Sequence, residues 1–302
     1  MTSVAIGRQS RLTPPALLVA LVRSSVWVSA AVSAMLYYTG HLLGGTVPAP
    51  VYVLAFFSAL FVMNFDHLID ARFEAPPDAP PQTGFTIAAG VLAVIAAAAI
   101  LYLLTLVSNP VRIVVACYGA IGVIYGLPLF PVFWRRPVAW RRLKDVYGIK
   151  AWLVSAAIVF AMIGLPMASS GAAAAPLHVA IIAAATYLFI VSNAHMFDVR
   201  DIRYDRLVGN TTLPALIGVE RTRRALTIAN VVALVVVAAA QLGGLFPFHP
   251  ETLLGVLLTI AYVRLLPAES SGVQYAIIID GCLFVMPIAA RVHEILGGGT
   301  LP

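Results

Sequence analysis

Apolar stretches of about 20 residues, the length that crosses a bilayer as a helix, recur along this chain from residue 17 to residue 292. The polar intervals between them are too short to fold as separate units. Of the 302 residues, 61% are hydrophobic and 11% are charged, whereas a soluble domain carries about a quarter charged residues. This composition excludes a soluble globular protein and predicts one integral membrane domain over residues 1–302.

The apolar stretches predict an all-α, polytopic membrane protein, a bundle of nine transmembrane helices. The predicted ranges are 25–44, 49–70, 84–108, 110–127, 148–167, 175–199, 222–245, 251–266 and 271–292. Residues 1–15 are polar and contain Arg8 and Arg11. Because no clear small-residue cleavage site follows in the first apolar run, they are expected to form a retained cytoplasmic leader.

The basic residues predict the orientation of the helices, since Lys and Arg concentrate in cytoplasmic loops. Under the nine-helix count, all of the 19 Lys and Arg residues except Arg112 and Arg291 fall on one side. The loops after helices two, four, six and eight are therefore expected in the cytoplasm. The net charge is +6, but the sequence has no basic, aromatic-interleaved face typical of nucleic-acid binding. Nucleic acid is therefore not a predicted partner.

The acidic residues gather in two segments, 64–74 and 193–214, at the predicted cytoplasmic ends of helices two and six. In the first segment, Asp66, Asp70 and Glu74 repeat every four residues. In the second, Asp198 is followed by further acids at spacings of three and four. Residues three or four apart share one helix face, so each segment presents a row of carboxylates at the membrane boundary.

Such rows need a positive partner, because like charges one turn apart repel and a helix C-terminus disfavours negative charge. Basic side chains of the neighbouring loops are one candidate, and the rows would then be solvated helix ends with ion pairs. Mg²⁺ is the other candidate, since it binds one or two carboxylates per helix and leaves positions for water and substrate phosphates. The charge density favours Mg²⁺, with Asp66, Asp70, Asp198, Asp201 and Asp205 as ligands.

These residues resemble the UbiA superfamily of intramembrane prenyltransferases, which have nine transmembrane helices and two Asp-rich motifs after helices two and six. The segment NAHMFDVRDIRYDRLVGNTTLP over residues 193–214 is similar to the second motif of that family. Arg23 and Trp27 resemble an Arg followed by Trp that opens the first helix in many members. The segment YGLP over residues 125–128 is similar to the one that closes the fourth helix.

The resemblance implies Mg²⁺-dependent transfer of a prenyl group from a prenyl diphosphate to a small-molecule acceptor, most commonly an aromatic ring. It places the active site at the cytoplasmic edge of the bundle, with the prenyl tail among the helices, and it implies membrane lipid as a partner. Asp66, Asp70, Asp198 and Asp201 would be the catalytic residues. Substrate contacts are expected from residues in and near the matched motifs, namely Arg23, Asn64, Arg72, Tyr125 and Asn193.

The first acidic segment departs from the family pattern, which usually reads Asn-x-x-x-Asp-x-x-x-Asp. Val62 occupies the place of the asparagine, and Asn64 is displaced from it by two residues. The loop that follows contains no Lys or Arg beyond Arg72, where members often carry a basic residue. These departures indicate a specialised member of the family.

Two further residues are candidates for substrate contact. Lys144, in the loop after helix four, is placed to bind diphosphate oxygens, although the orientation rule alone would also put it there. Asp280 falls in the middle of the ninth apolar stretch, where an ionisable residue is a functional hypothesis. It would either contact the acceptor substrate or pair with a neighbouring helix.

Other functions fit parts of the same pattern. A terpene cyclase of the UbiA type would ionise the same prenyl diphosphate without an acceptor. A transporter, or a prenyl-lipid binder without activity, would share the composition. Transporters usually show internal repeats or charged, broken helices near the midplane, whereas the acids here lie at the boundary, Asp280 excepted.

The predicted orientation is testable by cysteine labelling in a background without Cys117 and Cys282. We expect Arg136→Cys and Arg203→Cys to be reachable from the cytoplasm and Gly171→Cys from the opposite side. An impermeant thiol reagent applied outside intact cells should therefore label position 171 and leave position 203 unmodified. The opposite labelling pattern would show that the orientation, and with it the location of the acidic motifs, is wrong.

Overall fold

The computed structural model describes residues 15–73, 83–132, 139–143, 148–171, 174–208, 211–245 and 247–296. The described part is helical apart from one short antiparallel pair of strands, so the expected all-α class is confirmed. The helices are α1 (Ala16–Arg23), α2 (Val26–Leu42), α3 (Ala49–Phe73), α4 (Thr83–Leu104), α5 (Asn109–Gly126), α6 (Lys150–Ser170), α7 (Pro176–Val208), α8 (Leu213–Ile217), α9 (Val219–Leu242), α10 (Pro250–Leu265) and α11 (Gly272–Leu296). Strands β1 (Phe130–Val132) and β2 (Ala139–Arg141) lie between α5 and α6.

Seven of the described helices are long and apolar enough to cross a membrane, and the bent pair α1 and α2 makes an eighth if it counts as one span. Helix α10 has 16 residues, about 24 Å at 1.5 Å per residue, which is shorter than a hydrocarbon core of about 30 Å. The chain is therefore an integral membrane protein, with seven or eight candidate spans among its described residues. The count of nine stays a prediction.

Helix α1 lies outside every predicted range and is separated from α2 by a sharp bend of 73°. Ser25, at the bend, has a φ of 62°, in the left-handed region that costs a non-glycine residue about 1 kcal/mol or more. The side-chain amide of Asn64 in α3 donates to the backbone oxygen of Ser24 at 3.3 Å. That bond satisfies a carbonyl that the interrupted helix leaves without an intrahelical partner.

The packing of the bundle centres on α2 and α6, which contribute to both large groups of buried side chains. Met35 and Met162, both fully buried, lie in the group that also contains residues of α7, α9, α10 and α11. Leu36 and Leu165 lie in the other group, with residues of α3, α4 and α5. Apolar side chains on the outer helices face outward instead, among them Ile87, Val94 and Leu101 on one face of α4. Such faces are stable in lipid.

Two ends of the bundle can be distinguished by their contacts. At the end called the acidic end below, α3 and α7 finish in the two Asp-rich segments, and α11 begins with Gly272 beside the Arg200 side chain of α7. The guanidinium of Arg223, in the first turns of α9, donates there to the backbone oxygens of Val263 (2.7 Å) and Leu266 (2.5 Å). These bonds satisfy the last carbonyls of α10. Helix α2 and helix α11 finish at the opposite end.

Candidate active site

An apolar cavity lies between α3, α5 and α6, and Asp66 is the acidic residue among its described lining residues. It contains about 770 Å³ of empty space, including the part that is open to its surroundings. Val62 and Tyr125, two positions singled out in the sequence, also line it. The cavity thus combines one carboxylate with walls suited to a hydrocarbon chain.

A second apolar space lies next to the first, and Tyr118 and Ile158 line both. The second space has about 400 Å³ and reaches Leu36 of α2 and Leu165 of α6. On the α5 side, the first cavity is lined by glycines at positions 119, 122 and 126, a spacing of three and four that places them on one helix face. The missing side chains leave this face of α5 open to the cavity.

The residues of the first acidic segment point to different partners. Arg142 directly follows β2, and its guanidinium donates to Asp70 Oδ1 at 3.2 Å. Arg142 is 6% exposed, so the pair is largely withdrawn from solvent. Asn64 is buried and donates to the backbone oxygens of Ser24 and Leu60. The displaced asparagine therefore supports the bend after α1, while Val62 takes the cavity-facing position.

The acids of the second acidic segment each lie next to a different side chain. Asp198 is buried, and its Oδ2 lies 3.4 Å from Nδ1 of His195. Asp201 accepts two hydrogen bonds from Arg200, at 2.7 and 2.5 Å. Asp205 is buried and accepts from the Thr212 hydroxyl at 3.2 Å, which fixes the chain after α7. The three acids thus have three different environments.

The first turn of α6 lies between the two acidic segments. Leu153 and Val154 line the cavity that contains Asp66, while the neighbouring Trp152 packs edge-on against His195, with ring centroids 5.0 Å apart. Just before α6, the Gly148 backbone N–H donates to the Thr211 oxygen at 2.8 Å. Helices α3 and α7 therefore present their acids on two sides of the same helical turn.

The other predicted residues are spread over the acidic end and the core. Asn193 is buried and accepts a hydrogen bond from the Tyr262 hydroxyl through Oδ1. Asp280 is buried on α11, whereas the cavity lining comes from α3, α5 and α6. Arg23 and Arg72 are exposed. Lys144, like the leader residues 1–14, lies outside the described residues.

Two arginines of the site were missed by sequence reasoning. The sequence indicates Arg142 and Arg200 only as charges on the predicted cytoplasmic side, yet they pair with Asp70 and Asp201. The guanidinium of Arg200 also lies over the Phe197 ring, 5.0 Å from its centroid. For Arg200 a local signal existed, because it directly precedes an acid. For Arg142 none existed, since its partner is 72 residues away.

Comparison with known proteins places this chain in a family. The sequence profile of the UbiA prenyltransferase family matches residues 81–277, about two thirds of the chain. The chain therefore belongs to the UbiA prenyltransferase family, as the acidic motifs indicated. A search of curated proteins finds no significant match.

Solved structures share the fold at low sequence identity. A UbiA homologue from Aeropyrum pernix K1 in its apo form has a TM-score of 0.63 and 15% identity, with 89% of this chain and 97% of that chain covered. A UbiA homologue from Archaeoglobus fulgidus, bound to GPP and Mg²⁺, has a TM-score of 0.59 and 16% identity, with 91% and 99% covered. At these identities the likeness concerns the fold.

The pair formed by the buried Arg142 and the partly exposed Asp70 makes a prediction about stability. We expect Asp70→Asn and Arg142→Gln each to lower the thermal unfolding midpoint in detergent, and the double variant to lose less than the sum, with a coupling energy of about 1 kcal/mol or more. The exposed pair Glu220 and Arg224, with Oε1 and Nη2 3.9 Å apart, is the matched control and should couple by about 0.5 kcal/mol or less. Additive effects in the first cycle would show that the pair does not hold the loop after β2 to α3.

Proposed function

We propose that this protein transfers a prenyl group from a prenyl diphosphate to a small-molecule acceptor, an aromatic ring being the class that the family resemblance favours. The carrying observation is the apolar cavity with Asp66 in its wall, beside the helical turn that also touches the second acidic segment. The acidic end would face the cytoplasm, and the whole chain would act as one membrane domain.

The two neighbouring apolar spaces fit the tail of such a substrate. An apolar tail that enters from the bilayer gains little from burial alone, because lipid is already apolar. The cavity would therefore select the tail by shape. Phe61 and Phe65, whose rings stack at 5.6 Å and which both line the first space, would shield positive charge at the allylic carbon, since an aromatic face is worth about 0.5–2 kcal/mol to a nearby cation.

The donor set at the acidic end fits Mg²⁺, which prefers carboxylate oxygens and keeps positions for phosphate oxygens. Both ring nitrogens of the buried His195, beside Asp198, lack a hydrogen-bond partner, which marks a polar position that a bound group or water would satisfy. Asp66, Asp70, Asp198 and Asp201 would hold the ion, with Asp205 nearby. Bound there, Mg²⁺ would neutralise charge on the leaving diphosphate.

The cations of the site would complete the binding of the diphosphate. Arg142 and Arg200 now neutralise Asp70 and Asp201, and a guanidinium matches phosphate oxygens in charge and geometry. Arg23, Arg72 and Lys144 are proposed as further contacts to the same group. Asn193 and Asp205 are buried and hydrogen-bonded, and they would position α7.

The proposed role of the carboxylates is tested by turnover of a labelled prenyl diphosphate. We expect purified protein to require Mg²⁺, and Asp66→Asn, Asp198→Asn and Asp201→Asn each to reduce turnover by at least about a hundredfold, because each removes a charge that holds the metal. Glu220→Gln, at an exposed position on α9, is the control and should keep the parent rate. Rates within a few-fold of the parent for all three Asp variants would refute the metal site.

The acceptor requirement separates a transferase from a cyclase, because both need the same ionisation of the diphosphate. A cyclase needs a closed contour that folds one chain back on itself, whereas the cavity beside Asp66 and the neighbouring apolar space suit an extended tail. We expect geranylgeranyl or a shorter prenyl diphosphate with Mg²⁺ alone to give unreacted substrate or its alcohol, and a new product only when an acceptor is added. Cyclic hydrocarbons as the main product without acceptor would make the protein a cyclase.

A further inference from the structure

A second group of ligand-type side chains lies at the end of the bundle opposite the acidic end. His41 stands in the last turn of α2, His249 and Glu251 at the start of α10, and His293 in the last turn of α11. One donor atom from each of the four lies within 4.8 Å of all the others. Along α2, His41 is about 24 Å from Ser25 at 1.5 Å per residue, so this group is remote from the acidic motifs.

Glu251 occupies the centre of the group and is 1% exposed. Its Oε1 lies 2.9 Å from Nδ1 of His249 and 3.5 Å from Nε2 of His41, and its Oε2 lies 3.3 Å from Nδ1 of His293. Ligand atoms about 2.0–2.2 Å from a tetrahedral Zn²⁺ are about 3.3–3.6 Å apart. The distances from Glu251 to His41 and His293 fall in this range, and the distance to His249 is shorter.

Two atoms of the group are buried without a hydrogen-bond partner, namely Oε2 of Glu251 and Nε2 of His41. A buried polar atom left without a partner costs about 1–3 kcal/mol, and more when it is charged. The two lone pairs belong to different side chains and come from different helices. A cation between them would satisfy both at once.

The ring of His41 is held in the orientation that ligation needs. Its Nδ1 lies 3.0 Å from Oε1 of Glu294, and a proton on Nδ1 shared with that carboxylate would leave Nε2 as the ligand atom. Glu294 is itself fixed, because its Oε2 accepts hydrogen bonds from the Tyr37 hydroxyl at 2.6 Å and from Arg291 at 2.7 Å. A carboxylate on the far nitrogen of a ligating histidine is the usual way to set its tautomer and direction.

From this geometry we infer a second metal site, formed by His41, His249, Glu251 and His293, for a divalent transition-metal ion of the Zn²⁺ class. Three imidazoles and one carboxylate suit Zn²⁺, whereas Mg²⁺ prefers oxygen ligands only. Four protein ligands complete a tetrahedron and leave no position for a substrate, as in structural zinc sites. The ion ties the ends of α2 and α11 to the start of α10, and it takes no part in prenyl transfer.

Zinc content, measured on the purified full chain without a polyhistidine tag, tests the site independently of activity. The protein is stripped with a chelator, incubated with Zn²⁺ in the presence of excess Mg²⁺, desalted and analysed by elemental mass spectrometry. We expect about one zinc ion per chain in the parent protein, and a higher thermal unfolding midpoint with zinc than without it. Co²⁺ in its place should give the visible absorption of a tetrahedral complex.

Variants locate the ion. Glu251→Gln, which keeps the shape of the side chain, and His293→Ala, at a side chain that is 41% exposed, should weaken zinc binding at least about a hundredfold. Glu294→Gln should weaken it by about tenfold or more, since it removes only the orienting carboxylate. Asp198→Asn and Glu220→Gln are the controls and should retain the parent zinc content.

Three outcomes would overturn the inference. Zinc that is lost in Asp198→Asn instead would belong to the acidic end. Zinc content unchanged in both Glu251→Gln and His293→Ala would place the ion elsewhere. A parent protein that binds no zinc would show that the four side chains form a hydrogen-bonded His–Glu network without metal.

Discussion

The cost of an unpaired charge in apolar surroundings governs where this chain places its polar chemistry. An ionised side chain at the centre of a bilayer is expensive unless it is paired, hydrated or bound to metal. Asp70 accordingly pairs with Arg142, and Asp201 with Arg200. At the other end, Glu251 is enclosed by three histidines. Between the two ends the bundle offers an apolar interior in which a hydrocarbon chain fits.

The two ends of the bundle have different proposed roles. The acidic end would bind the substrate, and the opposite end would hold a structural metal ion. At the acidic end, Asp66 lines an apolar cavity beside the first turn of α6, which also contacts His195 of the second acidic segment. At the opposite end, one donor atom from each of His41, His249, Glu251 and His293 lies within 4.8 Å of the others. Helix α2 connects the two ends. It starts after the bend at Ser25, near Asn64, and has His41 in its last turn.

Sequence reasoning succeeded where the information is local. The spacing of three and four residues placed the acids of α7, and hydropathy located the long apolar helices. Hydropathy, however, detects only the apolar part of a helix. The sixth predicted span therefore ends at residue 199, whereas α7 continues to Val208. Charged residues beyond the bilayer continue a helix without penalty. The short α1 was missed because Arg23 and two serines interrupt its apolar run.

Long-range pairings could not be predicted from one sequence. Arg142 lies 72 residues from Asp70, and the histidine group draws on three segments that meet only after α2, α10 and α11 have packed. The position of Asn64 shows the same limit at short range. Two residues along a helix change the direction of a side chain by about 200°. Asn64 therefore points away from the cavity and donates to the backbone oxygen of Ser24.

The length of α7 has a consequence for how substrates arrive. Its 33 residues extend about 50 Å at 1.5 Å per residue, about 20 Å more than the hydrocarbon core of a bilayer. Asp198 lies about 33 Å from the start of the helix, which is close to the level where lipid tails give way to headgroups. In the proposed reaction, a prenyl diphosphate would enter from the leaflet with its diphosphate already at the level of the headgroups, while a polar acceptor would reach the same position from the aqueous side. Helix α7 would thus bring a substrate from the lipid and a substrate from the water to the same site.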